Sequence, residues 1–420
     1  MSPSNASSTR GFAWRIEAAH QAGKCYLAPF ALRRVGKLVV SMNSLRRSMQ
    51  VFAVFVLGTA LAGCSPAPHP KSVTGPAHAP RHVFVIVLEN EPFQVTFGEH
   101  SPAPYLAHEL PKQGALLTQY FGIGHYSLDN YIAMISGQAP NPETQEDCGV
   151  FSEFKRDAPG FDANGQIRGS GCVYPADVKT LANQLQDAGY TWKGYMESMG
   201  ANPAREASAC GHVAIGAVDH TNSATATDQY ADKHDPFVYF HSIIDDQAHC
   251  AAHVVNLDKL PADLQSLATT PNFSFITPDL CHDGHDAPCK NGEPGGLISA
   301  DKFLREWVPQ ILASPAFKQD GLLIVTFDEG TDAAACCGET KPAGAPQPGK
   351  FGPGGGRIGA VVVSPFVKAG SVSNVPYNHY SLLRSIEDWF GLPHLGYADQ
   401  HGLSAFGADV FNVEPPRSKP

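Results

Sequence analysis

Acidic and amide side chains follow two apolar runs of this sequence, at the point where each run ends. Residues 83–88 are followed by Glu89 and Asn90, and residues 322–327 are followed by Asp328 and Glu329. Apolar runs without alternation are typical of strands that are buried on both faces of a parallel sheet. Ligands of open α/β sheets bind just beyond the carboxyl ends of such strands. Glu89 alone could be an ordinary loop carboxylate. Because both apolar runs end in such side chains, we predict that all four hold a metal ion or orient a substrate.

A serine between the two runs is a candidate nucleophile. Ser127 lies where a loop enters a predicted helix. The free amides and partial positive charge of a helix amino terminus favour an anionic phosphoryl group there. Ser127 could instead only cap the helix. A metal ion on its hydroxyl would lower the hydroxyl pKa and produce an attacking alkoxide, so the neighbouring carboxylates favour the catalytic interpretation.

The predicted ligands are oxygen donors, and several histidines accompany them. Oxygen ligands favour Ca²⁺, Mg²⁺ or Mn²⁺, while the histidines leave Zn²⁺ open. An imidazole near a phosphate can protonate a leaving alkoxide or bind a phosphoryl oxygen, although each histidine could also be structural. Asp286, beside His285, could orient that ring or complete a metal shell. The candidate histidines, in order of preference, are His285 and His234, then His125 and His379, and last His282.

Strand-like and helix-like segments alternate from residue 82 onward. This alternation predicts an α/β fold with a largely parallel central sheet and helices on both faces. A single catalytic domain is expected over residues 82–413, followed by a tail at 414–420. Predicted strands besides the two runs are residues 190–196, 272–277 and 358–364, and predicted helices are residues 104–113, 181–188, 301–312 and 380–390.

The amino-terminal residues 1–63 have the features of an upstream extension followed by an export signal. Two arginines precede the apolar residues 51–62, which are too few for a comfortable membrane span. The sequence Leu61-Ala62-Gly63-Cys64 resembles a bacterial lipobox, which implies acylation of Cys64. A plain signal peptide is the alternative. Residues 64–81 then form a flexible tether, and the mature protein would be a bacterial lipoprotein, anchored to the membrane and facing the periplasm or exterior.

The net charge indicates which class of partner the chain can bind, and the cysteine content indicates the compartment in which it folds. Residues 1–63 hold eight of the 30 basic residues and one of the 40 acidic residues, so the remaining chain has a net charge of −17. Nucleic acid is therefore excluded as a partner, because phosphate backbones require basic surfaces. Eight further cysteines suggest disulfides in an exported protein. We predict Cys148–Cys172 and Cys281–Cys289, which are close in sequence.

Seven segments together resemble the bacterial phosphoesterase family, which groups acid phosphatases with phospholipases C on an alkaline-phosphatase-like fold. The resemblance implies that Ser127 is the nucleophile and also a metal ligand. It implies that Glu89, Asn90, Asp328 and Glu329 complete the metal site, and that Asn130 acts beside the nucleophile. Asn130, His282 and Asp286 are the predicted substrate-binding residues. The matching segments are residues 83–90, 125–137, 192–197, 233–240, 277–286, 322–330 and 379–392.

These observations predict a metal-dependent phosphoesterase that hydrolyses small phosphate monoesters through a phosphoserine intermediate, most simply an acid phosphatase. A phospholipase C-type phosphodiesterase is the alternative within the family. A surface lipoprotein that binds a ligand without catalysis would not need all five predicted metal ligands. A sulfatase would require a different sequence around its nucleophile than that around Ser127. The oligomeric state stays open.

Overall fold

The structure, a computed structural model, describes residues 79–349 and 352–412 and contains the predicted alternation of strands and helices. The strands are β1 His82–Leu88, β2 Ala115–Leu117, β3 Tyr120–Phe121, β4 Lys155–Phe161, β5 Ile167–Ser170, β6 Trp192–Met196, β7 Val254–Asn256, β8 Phe273–Thr277, β9 Gly321–Phe327, β10 Ala360–Val363, β11 Ser371–Ser373 and β12 Tyr377–Asn378. The helices are α1 Phe93–Thr96, α2 Ser127–Ser136, α3 Leu181–Asp187, α4 His241–Ile244, α5 Gln247–His253, α6 Leu260–Asp263, α7 Gly296–Ala313, α8 Pro315–Asp320 and α9 His379–Phe390. The described residues belong to one compact unit.

Eight of the strands form one sheet, in the order β11-β2-β10-β9-β1-β8-β6-β7. All neighbouring strands are parallel except β10, which runs antiparallel to both β9 and β2. Every residue of β1, β8 and β9 is buried, which requires cover on both faces of the sheet. Helices α2, α3 and α9 pack against one another, while α7 packs against α8. The predicted α/β class with a largely parallel central sheet is confirmed.

The register of β1 and β9 explains why their polar ends meet. Leu88 pairs with Phe327, so Glu89 and Asp328 leave adjacent strands at the same level of the sheet. The backbone N–H of Asp328 donates to the carbonyl of Leu88 at 2.9 Å, which continues the pairing one residue further. The two apolar runs therefore place their acidic ends side by side, as the sequence predicted.

One predicted element is wrong, and others differ from the structure in length. Residues 104–113, predicted as one helix, form a π-helical turn over Tyr105–Glu109 and a 3-10 turn over Pro111–Gln113. Pro111 has no N–H to donate and its ring crowds the carbonyl four residues earlier, which disfavours a regular α-helix at this point. The predicted strand at residues 358–364 is present as the shorter β10.

Four disulfides occur in the described part of the chain. Cys148–Cys172 and Cys281–Cys289, the two predicted pairs, are both present. The other two join Cys210 to Cys250 and the adjacent residues Cys336 and Cys337. Disulfides persist in oxidising compartments.

The predicted signal sequence, Cys64 and most of the tether lie outside the described residues. Within the described ranges, none of the helices combines the length and apolar character needed to cross a membrane.

Candidate active site

The ends of β1 and β9 form a compact set of buried polar groups. Asn90 has a φ of 60°, a left-handed conformation that asparagine tolerates better than most residues. This conformation lets its backbone N–H donate to Asp328 Oδ1 at 3.0 Å, and its side-chain amide donates to Glu89 Oε1 at 3.0 Å. The N–H of Glu329 also donates to Asp328 Oδ1, at 2.6 Å. Four of the predicted metal ligands are thus linked by these hydrogen bonds.

Ser127 is the first residue of α2 and its hydroxyl meets this set. Its Oγ donates to Glu89 Oε1 at 2.7 Å. The preceding residue, Tyr126, has an extended backbone and its side chain does not cap the helix. The amino terminus of α2 instead binds a carboxylate from elsewhere, since the N–H of Leu128 donates to Asp147 Oδ1 at 3.1 Å. The predicted nucleophile therefore lies at a helix end that already binds an anionic group.

Buried acidic and imidazole groups next to Ser127 have unused ligand atoms. Ligand atoms of Glu89, His234 and Asp328, all buried, lie within 4.8 Å of one another. His234 Nε2 is 3.4 Å from Glu89 Oε2, and His234 Nδ1 is 3.9 Å from Asp283 Oδ2. Five buried atoms of this set have no hydrogen-bond partner among the described residues. They are Glu89 Oε2, Asp283 Oδ2, Asp328 Oδ2 and the two ring nitrogens of His234. Buried polar atoms are rarely left unpaired, so this set fits a divalent cation.

The pKa shifts reflect the density of charge in this set. Burial, followed by the charges of Glu89 and Glu329, raises the pKa of Asp328 well above its ordinary range. Burial and Glu89 do the same for the pKa of Asp283. Burial alone would raise the pKa of Glu89, but Lys233 and His234 outweigh it and lower that pKa well below its usual value. More carboxylates are therefore buried together here than the nearby cations neutralise.

Lys233 and Asp147 are site residues that the sequence analysis missed. Lys233 Nζ lies 3.2 Å from Glu89 Oε1 and 3.3 Å from Asp147 Oδ2. Burial opposes the charged form of Lys233, but Glu89 and Asp147 outweigh it and raise the pKa of the ammonium. Asp147 has a φ of 49°, and the next residue, Cys148, is held by its disulfide to Cys172. One indication of Lys233 was present in the sequence, because it directly precedes the predicted site residue His234. The residues around Asp147 gave no indication that it belongs to the site.

An open cavity of about 370 Å³ lies over this set. His125 is fixed at its edge, because Nδ1 lies 2.8 Å from Glu329 Oε2 and Nε2 lies 2.7 Å from the carbonyl of Asp332. His285 is more accessible, with 54% of its side chain exposed and Nδ1 3.2 Å from Asp286 Oδ1. The lining residues are Glu89, Asn90, His125, Tyr126, Ser127, Asp147, Lys233, His285 and Glu329.

Asn130 and His379 do not line the cavity, although both were predicted to be catalytic. Asn130 is buried, and its Oδ1 accepts the N–H groups of Ile123 and Gly124 at 2.7 and 3.1 Å, so it shapes the loop before Ser127. His379 is buried with Nε2 2.6 Å from the carbonyl of Asp328, and burial lowers its pKa to about 4. The geometry favours a positioning role for both residues.

His282, predicted to bind substrate, belongs to a separate cluster. Its Nδ1 lies 3.0 Å from Glu197 Oε1 and 3.3 Å from Asp279 Oδ1. Burial opposes its protonation, but bonds to these two carboxylates outweigh burial and raise the pKa of His282 to about 10. The ring is therefore held by acidic partners away from the cavity. Its neighbour Asp283, by contrast, reaches the buried set beneath Ser127.

A family model described as the phosphoesterase family matches residues 100–393 of this chain. The matched range includes Ser127, Lys233, His285 and Asp328, and it begins after Glu89.

Curated relatives carry phosphatase names. A probable acid phosphatase of Kluyveromyces lactis is 24% identical over 80% of this chain and 65% of its own length. An acid phosphatase of Aspergillus fumigatus is 25% identical over 69% of this chain and 51% of its own length. The chain thus spans between about half and two thirds of these fungal relatives. A phosphatidylinositol-3-phosphatase of Mycobacterium tuberculosis is 25% identical over 76% of this chain and 79% of its own length.

Solved structures also match at low identity. A protein in the alkaline phosphatase superfamily from Vibrio parahaemolyticus covers 76% of this chain and 68% of its own, with 12% identity and a TM-score of 0.45.

Proposed function

Because this chain belongs to the phosphoesterase family, we propose that it is a metal-dependent phosphatase of the acid phosphatase type, which hydrolyses phosphate monoesters through a phosphoserine intermediate. The observation that carries the proposal is the placement of Ser127. Its hydroxyl lies at the amino terminus of α2, at the base of an open cavity and 2.7 Å from a buried carboxylate of the predicted metal site. A phosphoryl group that enters the cavity would meet a hydroxyl, helix amides and the ammonium of Lys233 together.

In this proposal the Ser127 hydroxyl releases its proton to solvent in the cavity, Oγ forms a bond to phosphorus, and the bond from phosphorus to the ester oxygen breaks. When water later hydrolyses the phosphoserine, the bond from phosphorus to Oγ breaks and Oγ takes a proton back from solvent. Glu89 accepts the hydroxyl hydrogen bond and so directs the serine lone pairs toward the cavity. The lowered pKa of Glu89 keeps it a carboxylate and makes it a weak base, so its role is to orient the hydroxyl. His285, the accessible imidazole of the cavity, would protonate the leaving oxygen and later accept a proton from the water that hydrolyses the phosphoserine.

The metal would be held by the groups at the strand ends. Glu89 and Asp328 supply buried carboxylate oxygens with no hydrogen-bond partner, and Asn90, Ser127 and Glu329 complete the set predicted from the sequence. When bound, a divalent ion would neutralise phosphoryl charge and lower the pKa of the serine hydroxyl. The oxygen donors favour Ca²⁺, Mg²⁺ or Mn²⁺. Zn²⁺ is the alternative ion, because His234 lies next to Glu89 and Asp328 and imidazole is a common zinc ligand.

Monoesters are the proposed substrate class, and the names of the relatives favour it. The matched proteins include acid phosphatases and a phosphatidylinositol-3-phosphatase. The net charge of −17 outside residues 1–63 would repel anionic lipid surfaces, which favours small soluble esters. A phospholipase C-type phosphodiesterase remains the alternative, because zwitterionic lipids do not feel that repulsion.

The deciding experiment is a substrate panel with controlled metal content. The purified protein is assayed after chelation and dialysis, and after reloading with Ca²⁺, Mg²⁺, Mn²⁺ or Zn²⁺. The substrates are p-nitrophenyl phosphate, nucleoside monophosphates, phosphatidylinositol 3-phosphate, bis-p-nitrophenyl phosphate and phosphatidylcholine. We expect chelation to abolish hydrolysis, one ion to restore it, and monoesters to be cleaved fastest. Full activity after chelation would contradict metal dependence, and faster cleavage of the diesters would favour the alternative.

We further propose that residues 82–413 form the catalytic domain of an exported lipoprotein. The disulfides support an oxidising compartment. Acylation of Cys64 and a tether over residues 64–81 would place the domain at the membrane surface, facing the periplasm or exterior. Mass analysis of the mature protein should find an acylated Cys64 as its first residue, and an unmodified Cys64 would contradict the anchor.

A further inference from the structure

Lys233 is the one lysine or arginine among the described residues that line the cavity. Its ammonium and the hydroxyl of Ser127 both donate to the same atom, Glu89 Oε1, at 3.2 and 2.7 Å. The cation and the predicted nucleophile are therefore side by side on one oxygen. A phosphoryl group in position for attack by Ser127 would lie within reach of Lys233.

The two histidines of the cavity are less available to a phosphoryl oxygen than Lys233, whose ammonium has three N–H donors and, in the described part of the chain, only two carboxylate partners, Glu89 and Asp147. Both ring nitrogens of His125 lie within hydrogen-bonding distance of protein acceptors, at 2.8 and 2.7 Å. His285 is largely exposed and lies beside Asp286. Lys233 has only 13% of its side chain exposed, so water screens its charge little.

Asp147 sets the charge balance around Lys233. Its Oδ2 lies 3.3 Å from Lys233 Nζ, while its Oδ1 accepts the N–H of Leu128 at 3.1 Å. One carboxylate thus contacts both the ammonium and the amino terminus of α2, the two groups that a phosphoryl oxygen would use. A substrate must outcompete Asp147 for them, and a group with two negative charges does so better than a group with one.

We propose that Lys233, balanced by Asp147, makes the site select doubly charged phosphate monoesters over singly charged phosphate diesters. The inference rests on the proposed function and names the residue that sets its substrate class. A monoester carries its second charge above a pH of about 6, whereas a diester has one charge at any neutral pH. Loss of the ammonium should therefore cost the monoester more than the diester.

The test compares kcat/KM for p-nitrophenyl phosphate and bis-p-nitrophenyl phosphate at about pH 7, where the monoester is doubly charged, in the wild type, Lys233→Gln and Lys233→Arg. Lys233→Gln should reduce the monoester value about tenfold more than the diester value, since one charge–charge interaction is lost in a partly screened site. Lys233→Arg keeps the charge and should retain most of the monoester preference. Equal losses for both esters in Lys233→Gln would overturn the inference.

Inorganic phosphate provides a readout that is independent of turnover. Its inhibition constant should rise in Lys233→Gln and fall in Asp147→Asn, because the second change removes the competing carboxylate. A change in the same direction in both variants would overturn the inference. Metal content is measured in each variant, and a loss of bound ion in Lys233→Gln that accounts for the whole effect would also overturn it.

A matched control keeps a failure of this inference distinct from a failure of the proposed function. Lys193, on β6, pairs with Asp263 at 2.6 Å and does not line the cavity. Lys193→Gln should leave the ratio of the two kcat/KM values unchanged, and a changed ratio would overturn the assignment to Lys233. If the metal-loaded wild type cleaves neither ester, the proposed function itself fails.

Discussion

Asp328→Asn should stabilise the metal-free protein and remove its stabilisation by metal. Asp328 Oδ1 accepts two backbone N–H groups, from Asn90 and Glu329, and an asparagine oxygen can accept both. Asp328 Oδ2 is buried without a hydrogen-bond partner, beside ligand atoms of Glu89 and His234. In Asp328→Asn, an amide nitrogen in the position of Oδ2 would donate a hydrogen bond to the carboxylate of Glu89, whereas the Asp328 carboxylate repels it.

The expected magnitude follows from that one oxygen. A buried polar atom without a partner costs about 1–3 kcal/mol, so the metal-free variant should gain free energy of unfolding in this range. With an unfolding entropy of about 2 cal/mol/K per residue, each kcal/mol corresponds to roughly 1–2 °C in Tm for a chain of this size. A bound ion at 100 times its Kd stabilises the wild type by about 2.7 kcal/mol, and the variant should lose most of that increment.

The pH dependence has a definite sign. The folded-state pKa of Asp328 is raised, so the ionised form destabilises the metal-free protein once the pH exceeds the unfolded-state value of about 4. The gain from Asp328→Asn should therefore be small near pH 4 and larger at pH 7. Thermal melts of chelated and metal-loaded protein at both pH values measure each quantity.

Asp301 provides a matched control. Its Oδ1 also accepts two backbone N–H groups, from Tyr105 and Leu106, but its Oδ2 is paired with Arg305 at 2.9 Å. Asp301→Asn should lower the stability and leave the metal increment intact. The assignment of Asp328 as a ligand would be refuted if Asp328→Asn kept the full increment, or if both variants were destabilised alike without metal.

Two further predictions concern Ser127 and His379. Ser127→Ala should lose several orders of magnitude in kcat yet still bind inorganic phosphate, and acid-quenched wild type should show phosphate on Ser127 by mass spectrometry; near-normal turnover of the variant would mean that water attacks directly. The pKa of His379 is lowered to about 4 in the folded protein, so stability should fall as the pH drops from about 6.5 to 4, because only the unfolded chain binds that proton. His379→Gln should reduce this loss of stability at acid pH, measured as Tm against pH. An unchanged loss in the variant would mean that other groups cause it.

Local pattern was sufficient for the five central strands of the sheet and for the acidic strand ends, but it did not indicate the short strands β2, β7 and β11. The runs before Glu89 and Asp328 could be recognised because strands buried on both faces leave an unbroken apolar signature. The helix predicted at residues 104–113 was wrong: the segment forms two short turns, and Pro111 begins the second. A proline does not decide this by itself, because α7 continues through Pro309.

Contacts between distant segments could not be predicted from the sequence. Lys233 and Asp147 are 86 residues apart, and only the folded chain brings their charges together. His282 resembled a site residue by its position after a strand, but its ring is paired with Glu197, 85 residues earlier. Nothing near either residue in the sequence marks such a partner.

The disulfide between Cys148 and Cys172 would make the completed anion pocket depend on the compartment in which the chain folds. Asp147 and its neighbour Cys148 both adopt left-handed backbone conformations, which aspartate tolerates better than cysteine does. A chain in a reducing cytoplasm would lack the crosslink that restrains this turn, and the loss would act on Asp147, one of the two carboxylates beside Lys233. If the chain is the exported phosphatase proposed above, completing its anion pocket only after oxidation would spare the phosphate esters of the cell that makes it.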